Sequence, residues 1–417
     1  MSVTAGPRRR SRAAERLGVP GLRGHGLFIT GNLIDSVGNG MLLPLGLLYF
    51  TDVRGLPLAQ VGVATTVGQA IALPVTFLAG RLMDRAGPKP VVVWANVVAA
   101  VGFALFLAAD ELWHVAAVYV LVQSGINMYF TAQRTLVTHV TEPGERRSWF
   151  AFTGSLRNVG LAAGAAAAAG ALTVFGQGSL RWMIAADAAT YLLAALCFAA
   201  VTTTAPRAEG AAPDAVVSRA DDTRRYLVLV AVNIPYVLAQ AMLAVLVAVY
   251  TTRSLGLPAS AASALFVVNT VIVSGLSTVV TAHLAPKVPR RAVAAGYLLM
   301  TAGMGAFALP ALPRLASTAW AALLVAMVLF SLAEILLGPA LSELSVSLTP
   351  GAAGGFTQGL YQFSWAVGMV AAPAVFTLLL EAGPLLPWGV EAAACLAAVL
   401  AAPALRAPSR HRRRKPR

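Results

Sequence analysis

Apolar residues along this chain run in long blocks and seldom alternate with polar ones. Blocks of about 20 residues, the length a helix needs to cross a bilayer, fall at roughly 27–50, 60–80, 90–109, 112–138, 149–175 and 181–204. A polar stretch rich in Arg, Asp and Glu follows. The blocks then resume near 226–250, 259–284, 291–311, 317–341, 355–381 and 384–405. In hydrocarbon every backbone amide must be bonded within its own segment, so such blocks are expected to be helices. The pattern predicts an all-α membrane protein of twelve transmembrane helices in two groups of six. Its expected divisions are a basic tail (1–26), a first six-helix half (27–205), a central loop (206–225), a second half (226–405) and a basic tail (406–417).

Composition sharpens the solvent. Hydrophobic residues make up 58% and charged residues 12%, about half the charged share of an ordinary soluble domain. A chain this apolar cannot cover itself with polar surface. The net charge of +14 would suit nucleic acid, but the basic residues sit between apolar blocks, and no nucleic-acid partner is expected. With the N-terminus placed in the cytoplasm, 27 of the 31 Lys and Arg residues fall on the cytoplasmic side. That count includes Arg134, Arg146, Arg147 and Arg157 around one loop. The bias is what the positive-inside rule asks of twelve spans. Both termini are therefore expected in the cytoplasm of a bacterial plasma membrane.

The first block is too long for the apolar core of a signal peptide, and no small-residue cleavage site follows it. It is expected to stay as a first helix. Cys197 and Cys395 lie in separate apolar blocks and are expected to be free, buried thiols. A faint internal repeat pairs Thr141–Gly144 with Leu348–Gly351, and Gly164 with Gly368, each at an interval near half the chain. Duplicated halves suit carriers whose site lies at the repeat interface near the bilayer midplane.

After the second block the chain reads Gly80-Arg-Leu-Met-Asp84-Arg85-Ala-Gly87-Pro88-Lys89-Pro90. The two glycines allow tight turns and close helix approach. Asp84 is suited to accept bonds from a helix N-terminus, and Arg85 and Lys89 to anchor the segment at the membrane surface. This segment resembles the signature loop of the major facilitator superfamily, with Pro88 at one of the family's basic positions. Gln123-Ser-Gly125, Gly160-x-x-x-Gly164 and Glu334-x-x-x-x-Pro339 resemble further family segments, the last two those of drug exporters. The resemblance implies the major facilitator fold, alternating access, and a gating role for Gly80, Asp84, Arg85, Gly87 and Lys89.

Ionisable groups in lipid are costly and mark function by default. Asp35 shares one helical face with Asn32 and Asn39, and that face is expected to line a central cavity. Glu334 is the first candidate for proton coupling, with Asp35 and Asp187 behind it. Arg134 reads as an interfacial anchor, and Glu343, Glu381 and Glu391 as interfacial acids. Asn127, Tyr236, Gln240, Gln358, Tyr361, Gln362 and Trp365 complete the candidate cavity, with Tyr129 and Asn269 beside them. Aromatics with a few acids suit amphipathic organic compounds. No phosphate-binding loop or hydrolase motif occurs, so neither enzymatic activity nor a cofactor is expected, and the proton gradient is the expected energy source. The expected function is proton-coupled export of small amphipathic molecules by a monomer. The alternatives are an importer or symporter of a polar metabolite, and a channel or non-transporting receptor.

Overall fold

A computed structural model describes residues 16–142, 144–203, 220–312, 319–349 and 354–406. The central loop, most of both tails and parts of the Thr141–Gly144 and Leu348–Gly351 repeat lie outside the described residues. Among the described residues twelve long helices carry the chain. The first half holds α1 (Gly26–Leu48), α2 (Leu58–Ala86), α3 (Pro88–Phe106), α4 (Leu112–Val140), α5 (Arg146–Phe175) and α6 (Ser179–Ala200). The second holds α7 (Ala220–Ala241), α8 (Ala259–Val279), α9 (Pro289–Ala308), α10 (Ala319–Ser347), α11 (Gly354–Ala382) and α12 (Leu386–Ala401). By length and composition eleven of these are apolar enough to cross a membrane, and α1 is 23 residues long. Among the described residues there is no strand. The outer surface is apolar: Trp182 is 80% exposed and Leu400 83%, as lipid-facing side chains should be.

Within the first half α1 packs on α5 and α6, and α3 on α4 and α6. Within the second, α7 packs on α11 and α12, and α9 on α10 and α12. Glycines set the closest crossings. A Cβ on Gly164 of α5 would overlap the Val37 carbonyl of α1, and one on Gly368 of α11 would meet the Val237 side chain of α7. The two glycines of the faint repeat thus each let α5 or α11 sit close to the first helix of its half, against backbone at Gly164 and against a side chain at Gly368.

A stronger repeat lies in the corners after α1 and α7. Each helix widens into a π turn, Tyr49–Val53 and Tyr250–Ser254. Each turn ends on a glycine with positive φ (Gly55, 69°; Gly256, 65°), and a proline then caps the next helix. The hydroxyl of Tyr49 donates to the Leu107 carbonyl (3.4 Å) and that of Tyr250 to the Phe307 carbonyl (2.8 Å). The two corners are copies down to the hydrogen bond.

The segment read as a loop is almost entirely helical. The apolar run ends near Gly80, yet α2 continues through the charged residues to Ala86. Gly87, at φ 81°, is the single turn residue, and Pro88 opens α3. Gly80, Asp84 and Arg85 therefore project from the last turns of a helix. Higher up, α2 breaks between Ile71 and Val75, where Pro74 cannot supply an amide hydrogen.

Candidate transport site and gating contacts

Bonds that cross between the halves gather at the Gly87 end of the bundle. A Cβ on Gly80 would overlap the Gly355 carbonyl, so α2 and α11 touch there backbone to backbone. Asp84 Oδ1 accepts a hydrogen bond from the Gly355 amide, in the first turn of α11, at 2.6 Å. The orphan amides of a helix N-terminus favour an anion at this place. The carboxylate closes on a backbone amide of the opposite half. Arg85 is exposed and makes no ion pair among the described residues, and Lys89 is half-buried in the first turn of α3. Nearby, Arg147 donates to the Pro286 carbonyl (2.6 Å) and lies 3.9 Å from Glu343. Ser277 and Ser155 bond weakly across α5 and α8.

Arg134 corrects its reading as an interfacial anchor. It is buried, and its guanidinium donates to Gln362 (2.9 Å) and Gln358 (3.4 Å) over the Tyr361 ring, 4.7 Å from the centroid. Gln358 also donates to the Ser345 carbonyl (2.7 Å). Three candidate cavity residues of α11 thus help seal the halves around one buried cation. The seal forms above the Asp84 contact, on the side toward the middle of the bundle.

Beyond this seal, polar clusters face inward from both halves. In the first, Asn32, Asp35 and Asn39 share a face of α1 as the spacing requires. Asn32 accepts from Tyr129 (2.9 Å) and Gln133 (3.3 Å), which ties α1 to α4. Asn39 donates to the Asp35 carboxylate (3.3 Å), and Asp35 lines a small cavity with Asn96, Tyr129, Phe130 and Tyr191. Asp187 lies against the Gly38 backbone, where a Cβ would come within 2.6 Å of its Oδ1, and accepts from Thr190 (3.4 Å). Among the described residues it has no basic partner within ion-pair distance.

In the second half, Asn269 of α8 donates to Glu334 (3.0 Å) and to Ser331 (3.1 Å) of α10. Gln240 donates to the Tyr236 hydroxyl (3.2 Å), whose ring meets Trp365 edge-on at 5.6 Å. Glu334 is half-buried, in contrast to Asp35 and Asp187, which are buried. Tyr361 donates to Asn233 (2.8 Å), which in turn donates to Ser364 (3.2 Å). Asn127 stands apart. Its amide donates to the Ala72 carbonyl (3.1 Å) and caps the break in α2.

Three further placements differ from the sequence reading. Arg157, counted with the residues around a cytoplasmic loop although the 149–175 block contains it, lies eleven residues into α5, about 16 Å along the helix at 1.5 Å per residue. The apolar run into which it falls masks no helix boundary, and the charge count alone could not see its depth. Glu391, read as interfacial, is buried in α12 with the Cys395 thiol 3.5 Å away. Cys197 is only half-buried, against Gly31. Asn233 and Ser331 were not anticipated, although Asn233 stands to Tyr236 and Gln240 as Asn32 stands to Asp35 and Asn39.

A bundle of paired six-helix halves, sealed at one end and lined with polar groups beyond the seal, is the architecture of a membrane carrier. The chain belongs to the Major Facilitator Superfamily, whose profile matches residues 28–232 and 229–417. Solved structures of the same fold include the human organic anion transporter MFSD10 (18% identity, covering 93% of this chain and 99% of that one, TM-score 0.67). They also include the transporter FucP in the outward conformation (16%, 92% and 99%, 0.70) and a bacterial homologue of the iron transporter ferroportin in an outward-facing state (17%, 92% and 99%, 0.73). Among curated proteins, the multidrug resistance protein MdtH of Yersinia enterocolitica is 30% identical over 119 residues, 28% of this chain and 30% of that protein. The match therefore spans less than a third of either protein.

Proposed function

We propose that this chain is a proton-coupled exporter of small amphipathic organic molecules in a bacterial plasma membrane. It works by alternating access as a monomer, with both termini in the cytoplasm and no cofactor beyond the proton gradient. The observation that carries this reading is the placement of Glu334. Its carboxylate is held by Asn269 beyond the seal, in the half whose Gln240, Tyr236 and Trp365 form a linked polar and aromatic cluster. A carboxylate so placed can exchange a proton for a ligand, while the aromatic rings hold an apolar body. The Asp84, Arg134 and Arg147 contacts then hold the cytoplasmic end closed while the site faces outward. The partial likeness to a multidrug resistance protein supports export.

The test uses everted membrane vesicles carrying the protein and a fluorescent cationic dye. Acidifying the lumen is expected to drive dye inward against its gradient, and collapsing the pH difference to stop it. Dye movement in the same direction as protons would favour the symporter alternative. Flux indifferent to the gradient would leave a channel.

A further inference from the structure

The buried acid of the first half lines a small cavity of about 10 Å³, the room that one water needs. Its polar wall comes from four helices: Asp35 and Asn39 of α1, Asn96 of α3, Tyr129 of α4 and Tyr191 of α6. The hydrogens of this wall are spent elsewhere. Asn96 donates its amide to the Val92 carbonyl (2.9 Å), which fixes its flip and leaves Oδ1 buried without a partner. Asn39 donates to the Asp35 carbonyl (2.9 Å) and carboxylate (3.3 Å), which leaves its own carbonyl oxygen over. Tyr129 gives its hydrogen to Asn32 (2.9 Å). The Tyr191 hydroxyl is buried with no partner, on a ring stacked against Phe103 at 5.3 Å. Among the described residues Asp35 has no basic group within ion-pair distance, and neither has Asp187, one turn before Tyr191 on α6. Arg157, over the Phe130 ring of the same cavity (4.6 Å), makes no ion pair with either acid.

Buried oxygens without partners and a buried carboxylate without a counter-charge are both costly. A water brings only two hydrogens, too few for this many acceptors. A bare cation meets all of them at once and supplies the missing charge. An all-oxygen wall suits a hard ion. A single lining carboxylate suits one positive charge, whereas calcium-type sites gather several acids. Among the described residues no three His, Cys, Asp or Glu side chains come together to hold a metal. Sodium is smaller than a water molecule and potassium is not. We propose that this cavity binds one sodium ion, held by the Asp35 carboxylate with the oxygens of Asn39, Asn96 and Tyr191 around it. The ion ties α1 to α3 and α6. Every ligand belongs to the first half, so movement of one half against the other leaves the site whole. The site goes beyond the transport reading and does not rest on it.

The test measures binding of radiolabelled sodium to the full-length protein in lipid nanodiscs, together with its thermal melt. The wild type should bind sodium saturably, and excess potassium or choline should compete at least about tenfold less well than unlabelled sodium. Replacing choline chloride with sodium chloride at equal ionic strength should raise Tm by about 3 °C. Asp35→Asn should abolish binding. Tyr191→Phe, which keeps the ring on Phe103, should weaken it about tenfold, the size of one bond to a charged group. A single cooperative melt in choline chloride shows that each variant is folded; if Asp35→Asn fails this check, Tyr191→Phe carries the test. Absence of saturable binding with the same Tm in both salts would mean that the cavity holds only water, and would overturn the proposal. Equal competition by potassium, or unchanged binding in Tyr191→Phe, would overturn it too. Dye export without sodium binding would sink this site and leave the transporter reading standing, and sodium binding without dye export would do the reverse.

Discussion

Asp35 on α1 and Tyr236 on α7 occupy equivalent places in the two halves, flanked by Asn32 and Asn39 in one and Asn233 and Gln240 in the other. The scaffold repeats, and the chemistry does not. The first half holds Asp35 and Asp187 buried within its own hydrogen-bond network. The second offers Glu334, half-buried, from a different helix. The seam shows the same division of labour. The first half sends charged side chains across it (Asp84, Arg134 and Arg147). The second mostly receives them on neutral groups: the Gly355 amide, Gln358, Gln362 and the Pro286 carbonyl, with Glu343 as the exception. A charge received by a neutral dipole is held less tightly than one received by an opposite charge. Such a seam can open on each cycle with only the long Arg147–Glu343 pair to separate.

Three substitutions probe this asymmetry. The largest effect is expected from Glu334→Gln, which keeps the shape and the Asn269 contact but removes the exchangeable proton. Gradient-driven transport should be lost while downhill exchange of substrate persists; full concentrative transport in this variant would remove Glu334 from the coupling role. Asp35→Asn should be milder, because the buried group works within one half. We expect a loss of about tenfold, the order of one charge-assisted bond, with proton dependence retained. If proton dependence vanished in Asp35→Asn and survived in Glu334→Gln, the roles of the halves would have to be exchanged. The smallest effect is expected from Asp84→Asn, which still accepts from Gly355 but without charge. Turnover should change a few-fold, within the range of one charge-assisted bond, with substrate affinity nearly unchanged. A change confined to affinity would mean that the α2–α11 contact is no latch.

Much of the fold is legible in the chain because lipid imposes a simple rule. Apolar runs of membrane length become helices, and the twelve runs became twelve helices. The Asn32–Asp35–Asn39 face could be read for the same reason, since helical spacing alone brings those residues together. What escaped lies across helices. Asn127 resembles a cavity residue in sequence, but its partner is a broken turn of α2 some 55 residues away. Gln358 and Gln362 look like substrate contacts until Arg134 is seen between them. The signature segment read as a loop because charge ends an apolar run, although charge does not end a helix. Only Gly87, in the left-handed region, marks the turn. The corner repeat of Tyr49 and Tyr250 was present in the sequence as Tyr, Gly, Leu and Pro at matched spacing, and was hidden by the unlike residues between them.

The depth of Arg157 has an electrical consequence. A fixed cation eleven residues inside a 30-residue membrane-length helix need not move to feel the membrane voltage. When the water-filled side of the carrier changes, the drop in potential shifts from one side of the guanidinium to the other. A full elementary charge crossing 100 mV corresponds to about 2.3 kcal/mol. An empty carrier with an unneutralised Arg157 would therefore favour one orientation at the resting voltage. The voltage across the membrane would then set how long the empty protein waits facing each side.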